Sequence, residues 1–224
     1  LIHVHLNSRI TELIPTFKIG VIQYHDIVIG DSPQMLKGRL QFFQETLKVE
    51  LESKALTDYA GIAEWRKTFK TLQIDPGRYR PSHEALYRRV KKGDSLPLVH
   101  SAVDLNTFFS LEYVIPLGIY DLANIKGDVT LRLGEENESY EGVNGRLNDM
   151  SGKLISSDSE GAFGSPIVDS IRTKVTLDTT SALHILYLRP SIDYTEAEQL
   201  VKAVGKMFTQ VHGGDFNSNI FPSS

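Results

Sequence analysis

Leu36, Leu40, Phe43, Leu47 and Leu51 return every three or four positions with charged residues between them, which predicts a long amphipathic helix. Ser32 is placed to cap it and Pro33 to open its first turn. Ahead of it, Phe17 to Ile22 and Ile27 to Ile29 are rich in β-branched residues and predict a pair of strands. A second helix is expected over Ala60 to Leu72, ended by the turn Asp75-Pro76-Gly77. Ser82 would cap a third, basic helix that stops at Gly93, and Val103 to Glu112 reads as a fourth. Strands are then expected at Asp128–Leu133, Leu154–Ser156, Arg172–Thr176 and Leu183–Leu188. A last helix begins at Thr195, with Thr195-x-x-Glu198 as a capping box, and stops at Gly213-Gly214. Helices come early and strands late without βαβ alternation, so the expected class is α+β.

Composition narrows the chemistry. At 224 residues and 41% hydrophobic, the chain suits one elaborated domain over 1–224 with a core that needs no metal or disulfide. There is no cysteine, which excludes a disulfide framework, a thiolate metal site and a catalytic thiol, and fits a reducing, cytoplasmic location. No apolar run approaches the ~18 residues of a membrane span, and neither a signal peptide nor a membrane partner is expected. Phosphate-binding glycine loops, the G-x-S-x-G nucleophile elbow and H-E-x-x-H are all missing. His3 and His5 would share one side of a strand but lack a third ligand, and His184 in its apolar strand reads as structural. No metal and no cofactor are expected.

Charge is mild overall, at −4, but unevenly spread. Arg66, Lys67, Lys70, Arg78, Arg80, Arg88, Arg89, Lys91 and Lys92 crowd into one segment, opposed there only by Asp75 and Glu84. Mixed arginine and lysine on an acidic body suits a polyanion backbone, and Tyr79 and Tyr87 among them could stack on unpaired bases. A solvated helix face whose arginines pair with acids elsewhere explains the same charges equally well. If nucleic acid binds, RNA is favoured over DNA, because no recognition helix is visible. A second set of polar residues lies against apolar runs: Asp104, Asn106, Thr107, Tyr120 and Asp121. Such groups either orient a ligand in a pocket or cap helices and turns.

Taken in order, several segments resemble the free-standing B3/B4 domain proteins, relatives of the editing domain in the bacterial phenylalanyl-tRNA synthetase beta subunit. They run from Trp65-Arg66-Lys67-Thr68-Phe69-Lys70 through Asp75-Pro76-Gly77-Arg78-Tyr79-Arg80-Pro81-Ser82 and Val103-Asp104-Leu105-Asn106. Ile115-Pro116-Leu117-Gly118, Gly127-Asp128-Val129-Thr130-Leu131-Arg132, Phe163-Gly164-Ser165-Pro166 and Asp169-Ser170 continue the series, so that residues 60–190 are covered. The resemblance implies an α+β fold with a mixed, β-sandwich-like core and packed helices. It also implies a role near tRNA, since the synthetase domain hydrolyses the ester of tRNA mischarged with tyrosine. Departures are specific. The synthetase motif Val-Asp-Val-Thr-Asn is Val103-Asp104-Leu105-Asn106-Thr107 here, Gly118 stands where a histidine follows Pro-Leu, and Leu183 to Leu188 holds no carboxylate. The expectation is therefore a tRNA-binding protein, with deacylation of mischarged aminoacyl-tRNA in trans as its enzymatic extension and no catalytic residue assigned. The alternative is a non-catalytic module binding a free amino acid or similar ligand.

Overall fold

The computed structural model describes residues 1–224. A short strand β1 (Val4–Leu6) and helix α1 (Ser8–Leu13) lead into β2 (Ile19–His25). Four helices follow: α2 (Gln34–Glu50), α3 (Ala60–Thr71), α4 (Ser82–Lys92) and α5 (Ser101–Tyr113). The strands β3 (Leu117–Asp121), β4 (Val129–Leu133), β5 (Ser139–Glu141), β6 (Leu147–Asp149), β7 (Leu154–Asp158), β8 (Gly161–Gly164) and β9 (Ala182–Tyr187) come next. Helix α6 (Tyr194–His212) and strand β10 (Asp215–Phe221) close the chain. The fold is α+β, with helices and strands largely segregated as the sequence predicts.

One antiparallel sheet, ordered β10-β2-β9-β3, divides the molecule. Alternate residues of a strand point to opposite faces, and here both faces are buried. Ile22, Tyr24, Leu186, Leu117 and Ile119 pack toward α2, α5 and α6 in a core of 30 buried residues. Val21, Leu183, Ile185, Tyr187 and Tyr120 face the other way, into a core of 19. That second core is closed by the sheet β1-β4-β7-β8, with Val129, Leu131, Leu154 and Phe163, and by Trp65 and Phe69 of α3. Two facing sheets with helices on the outer side of one give the sandwich-like core. The hairpin β5-β6 stands apart as a two-stranded ribbon.

Several local expectations are corrected. Ile27–Ile29 forms no strand: Asp26 takes a left-handed φ of 56° and turns the chain, after which Ile27 and Val28 donate singly to Thr180 and His212. Arg172–Thr176 is a loop with one isolated bridge, Lys174 to Tyr120. Ser32 does not cap α2, because its hydroxyl donates to Asp104 Oδ2 and Pro33 holds the cap position. Ser82 is the first residue of α4 rather than its side-chain cap. Helix α6 is capped by Asp193, which accepts from the Glu196 N–H at 2.8 Å, and not by Thr195. Gly93 does end α4, in a left-handed conformation with φ of 84°. No helix is long and apolar enough to cross a membrane.

Candidate functional site

Helix α5 is capped by His100, whose Nδ1 accepts from the Val103 N–H at 3.3 Å and whose Nε2 donates to the Val175 carbonyl at 3.3 Å. That pair of bonds ties the first turn of α5 to the loop that crosses the edge of β3. Between them opens a cavity of about 550 Å³. Val99, Val103, Ile119, Val175 and Leu177 form apolar walls, and Asn106, Asp169 and Lys174 bring polar groups to it. Apolar walls with a few convergent polar groups are the usual make-up of a small-molecule site.

Asp169 is held by Tyr120, whose hydroxyl donates to Oδ1 at 2.7 Å. Burial among Tyr120, Tyr140 and Tyr187 pushes its carboxyl up to about 7, against the lowering effect of the Tyr120 hydroxyl and the Ser165 amide. The same burial, reinforced by the Asp169 charge, raises the Tyr120 phenol well above its ordinary value. Tyr120 reaches this position because Gly118 and Gly164 leave room for it. A Cβ on either would stand 2.6 Å from Tyr120 Cζ and closer still to the hydroxyl. The volume of a side chain at 118 is filled by the phenol of Tyr120.

Asn106 is fixed from behind. Its Nδ2 donates to the Leu117 carbonyl at 3.3 Å, and its Oδ1 accepts from His184 Nε2 at 2.7 Å. His184 is fully buried and its Nδ1 lies 3.1 Å from the Tyr24 hydroxyl. Burial, with His212 adding to it, lowers His184 to about 3, so the ring is neutral.

The structure distributes the sequence candidates unevenly. Asn106 lines the cavity, and the fully buried Tyr120 acts on it only through Asp169. Asp104 accepts from Ser32 and from the Val99 N–H at 2.9 Å, joining the loop before α5 to the one before α2. Asp121 caps the turn at Ala123 and accepts from Thr179 at 2.7 Å. Thr107 is half-buried beside Asn106 and outside the cavity lining. Sequence reasoning did not single out His100, Asp169 or Lys174 as site residues. Asp169 entered there only through the Asp169-Ser170 segment of the resemblance, not as a site residue.

The basic segment is split as well. Arg66 and Arg88 both donate to Glu84 Oε1 at 2.8 Å, and Glu84 is fully buried, so these two guanidinium groups turn inward. Lys67, Lys70, Arg78, Arg80, Arg89, Lys91 and Lys92 are exposed. Tyr87 is buried, with its hydroxyl on the Leu111 carbonyl at 2.7 Å, and offers no face to a base. Tyr79 is half-buried under Lys153, whose Nζ lies 3.9 Å from the ring centre.

Residues 64–200 match the family model of the B3/4 domain. The Uncharacterized protein YhzB of Bacillus subtilis (strain 168) is 33% identical over 215 residues, covering 95% of this chain and 96% of that protein. The phenylalanine–tRNA ligase beta subunit of Paramagnetospirillum magneticum is 33% identical over 89 residues, which are 34% of this chain and 11% of the subunit. Among solved structures, an N-terminal fragment of the phenylalanyl-tRNA synthetase beta subunit from Pyrococcus horikoshii covers 99% of this chain and 55% of the fragment. Its identity is 12% and its TM-score 0.49.

Proposed function

The chain belongs to the B3/4 domain family, and from that premise we propose that it binds tRNA and seats the aminoacyl end in the cavity between α5 and β3. The observation that carries the reading is the convergence of Asn106, Asp169 and Lys174 on an apolar cavity, in a chain related to part of a tRNA ligase subunit. The exposed cations Lys67, Lys70, Arg78, Arg80, Arg89, Lys91 and Lys92 supply the phosphate contacts. Arg66 and Arg88 set the spacing of α3 and α4 through Glu84. The reaction to test is deacylation in trans. Water oxygen joins the acyl carbon, the ribose oxygen leaves with a proton, and the products are a free amino acid and uncharged tRNA.

Binding of bulk tRNA across a salt series is the first test. Affinity that falls steeply with salt supports the reading, and no binding at low salt refutes it. Release of amino acid from a panel of mischarged tRNAs then tests hydrolysis. A second reading, binding of a free amino acid, draws on Asp169 and Lys174 both lining the cavity, since their opposite charges suit a zwitterion.

A further inference from the structure

Two ionisable side chains at the cavity, Asp169 and Lys174, are engaged by no ion pair. Asp169 takes one hydroxyl, from Tyr120, and has no cation. A crowded carboxylate without a counter-charge is costly unless a ligand brings one.

The orientation of Asn106 follows from its neighbours. The Leu117 carbonyl can only accept, so the amide nitrogen must face it and Oδ1 must face His184. His184 Nε2 then carries the proton, Nδ1 is the bare acceptor, and the Tyr24 hydroxyl donates to it. The chain Tyr24–His184–Asn106 runs one way, and the second N–H of Asn106 is left without a protein partner at the cavity. The site thus offers one neutral donor and one carboxylate among apolar walls.

We infer that this cavity reads a free α-ammonium: Asp169 receives the ammonium of an α-amino acyl group while the spare N–H of Asn106 holds its carbonyl oxygen. An N-acylated counterpart is rejected, because it has no charge to offer Asp169 and adds bulk where the ammonium sits. The inference rests on the cavity being the ligand site of the proposed function and states which chemical group that site selects. Lys174 is left to face an anionic group, which is phosphate in an aminoacyl-tRNA and carboxylate in a free amino acid.

The test uses the intact chain and small probes. Nitrogen-15 spectra are titrated with the twenty L-amino acid amides, with their N-acetyl counterparts and with the free amino acids. At least one amide is expected to bind about tenfold or more tighter than its N-acetyl form, the range of a charge-assisted hydrogen bond. Asp169→Asn, which keeps an acceptor for Tyr120, is expected to reduce that ratio below about twofold while the melt at pH 7 stays at or above that of the wild type, because the cost of the buried carboxylate is removed. If this variant fails to fold, contacts between the ligand α-proton and the methyl groups of Ile119 and Val175 in the wild type decide the site. Absence of amide binding at millimolar concentration, equal affinity for the acetylated form, or a ratio that survives Asp169→Asn would overturn the inference. A free amino acid that binds better than its amide identifies carboxylate as the anion that meets Lys174 and leaves the ammonium assignment standing. Loss of tRNA binding with the amide preference intact would remove the tRNA reading alone, and the reverse pattern would remove this one alone.

Discussion

Gly118→Ala isolates the packing on which the cavity depends. The new Cβ would stand 2.6 Å from Tyr120 Cζ, and Gly164 closes the opposite side at the same 2.6 Å, so the phenol has no room to swing clear. Overpacking of this kind costs about 1–3 kcal/mol. Pushing the hydroxyl off Asp169 adds a charged hydrogen bond, about 1.5–3 kcal/mol. We expect a total loss of about 3 kcal/mol, read as a lower urea midpoint with an unchanged slope. The decisive variant is Tyr120→Leu, which removes the ring and hydroxyl that the Cβ would strike. On that background Gly118→Ala should cost less than about 0.5 kcal/mol, leaving a coupling of about 2–3 kcal/mol between positions 118 and 120. Additive losses in the four-protein cycle would refute the packing argument. They would also remove the explanation of why glycine, and not a larger residue, follows Pro116-Leu117.

Glu84→Gln should cost about 2 kcal/mol by chemical denaturation, less than for a fully enclosed pair because Arg66 and Arg88 keep partial solvent contact; no loss would mean that the triad contributes little. Alanine at Lys91 and Lys92 should flatten the salt dependence of tRNA binding without moving the melt, whereas an unchanged slope would place the RNA elsewhere. Acid should destabilise the protein through His83 and His184, lowered by burial to about 4 and about 3. The unfolded chain binds protons at these positions that the folded chain refuses, so stability falls as pH drops below about 6.5, by about 2 kcal/mol for each histidine at pH 5. Asp169, raised to about 7, works in the opposite sense and returns about 2 kcal/mol over the same interval. Asp169→Asn should therefore steepen the loss between pH 7 and pH 5 from about 2 to about 4 kcal/mol, and an unsteepened loss would contradict the burial argument for Asp169.

What could be read from the chain and what could not divides along the range of the interactions. Strand β9 was legible because it is buried on both faces, and a strand so placed reads as a near-continuous apolar run, broken here only by His184. Helices α2, α3 and α6 were legible because each buries one stripe at helical spacing. Strand β10 was not, because Asp-Phe-Asn-Ser-Asn-Ile-Phe is an edge whose pairing comes from β2, nearly two hundred residues earlier. Asn106 stood out as an amide within an apolar helix, and its local sequence sufficed to nominate it. Asp169 could not be nominated in the same way, since what makes it unusual is the closure of Tyr120, Tyr140 and Tyr187 around it from three separate strands. The basic segment shows the same division within one feature. Arg88 lies four residues from Glu84 on one helix, so that pair could be foreseen from spacing. Arg66 meets the same carboxylate only because α3 packs beside α4, and the count of free cations in the sequence was too high by those two. A charge cluster read from sequence is thus an upper bound on the charge offered to a partner, and the seven exposed cations are the ones a tRNA backbone could meet.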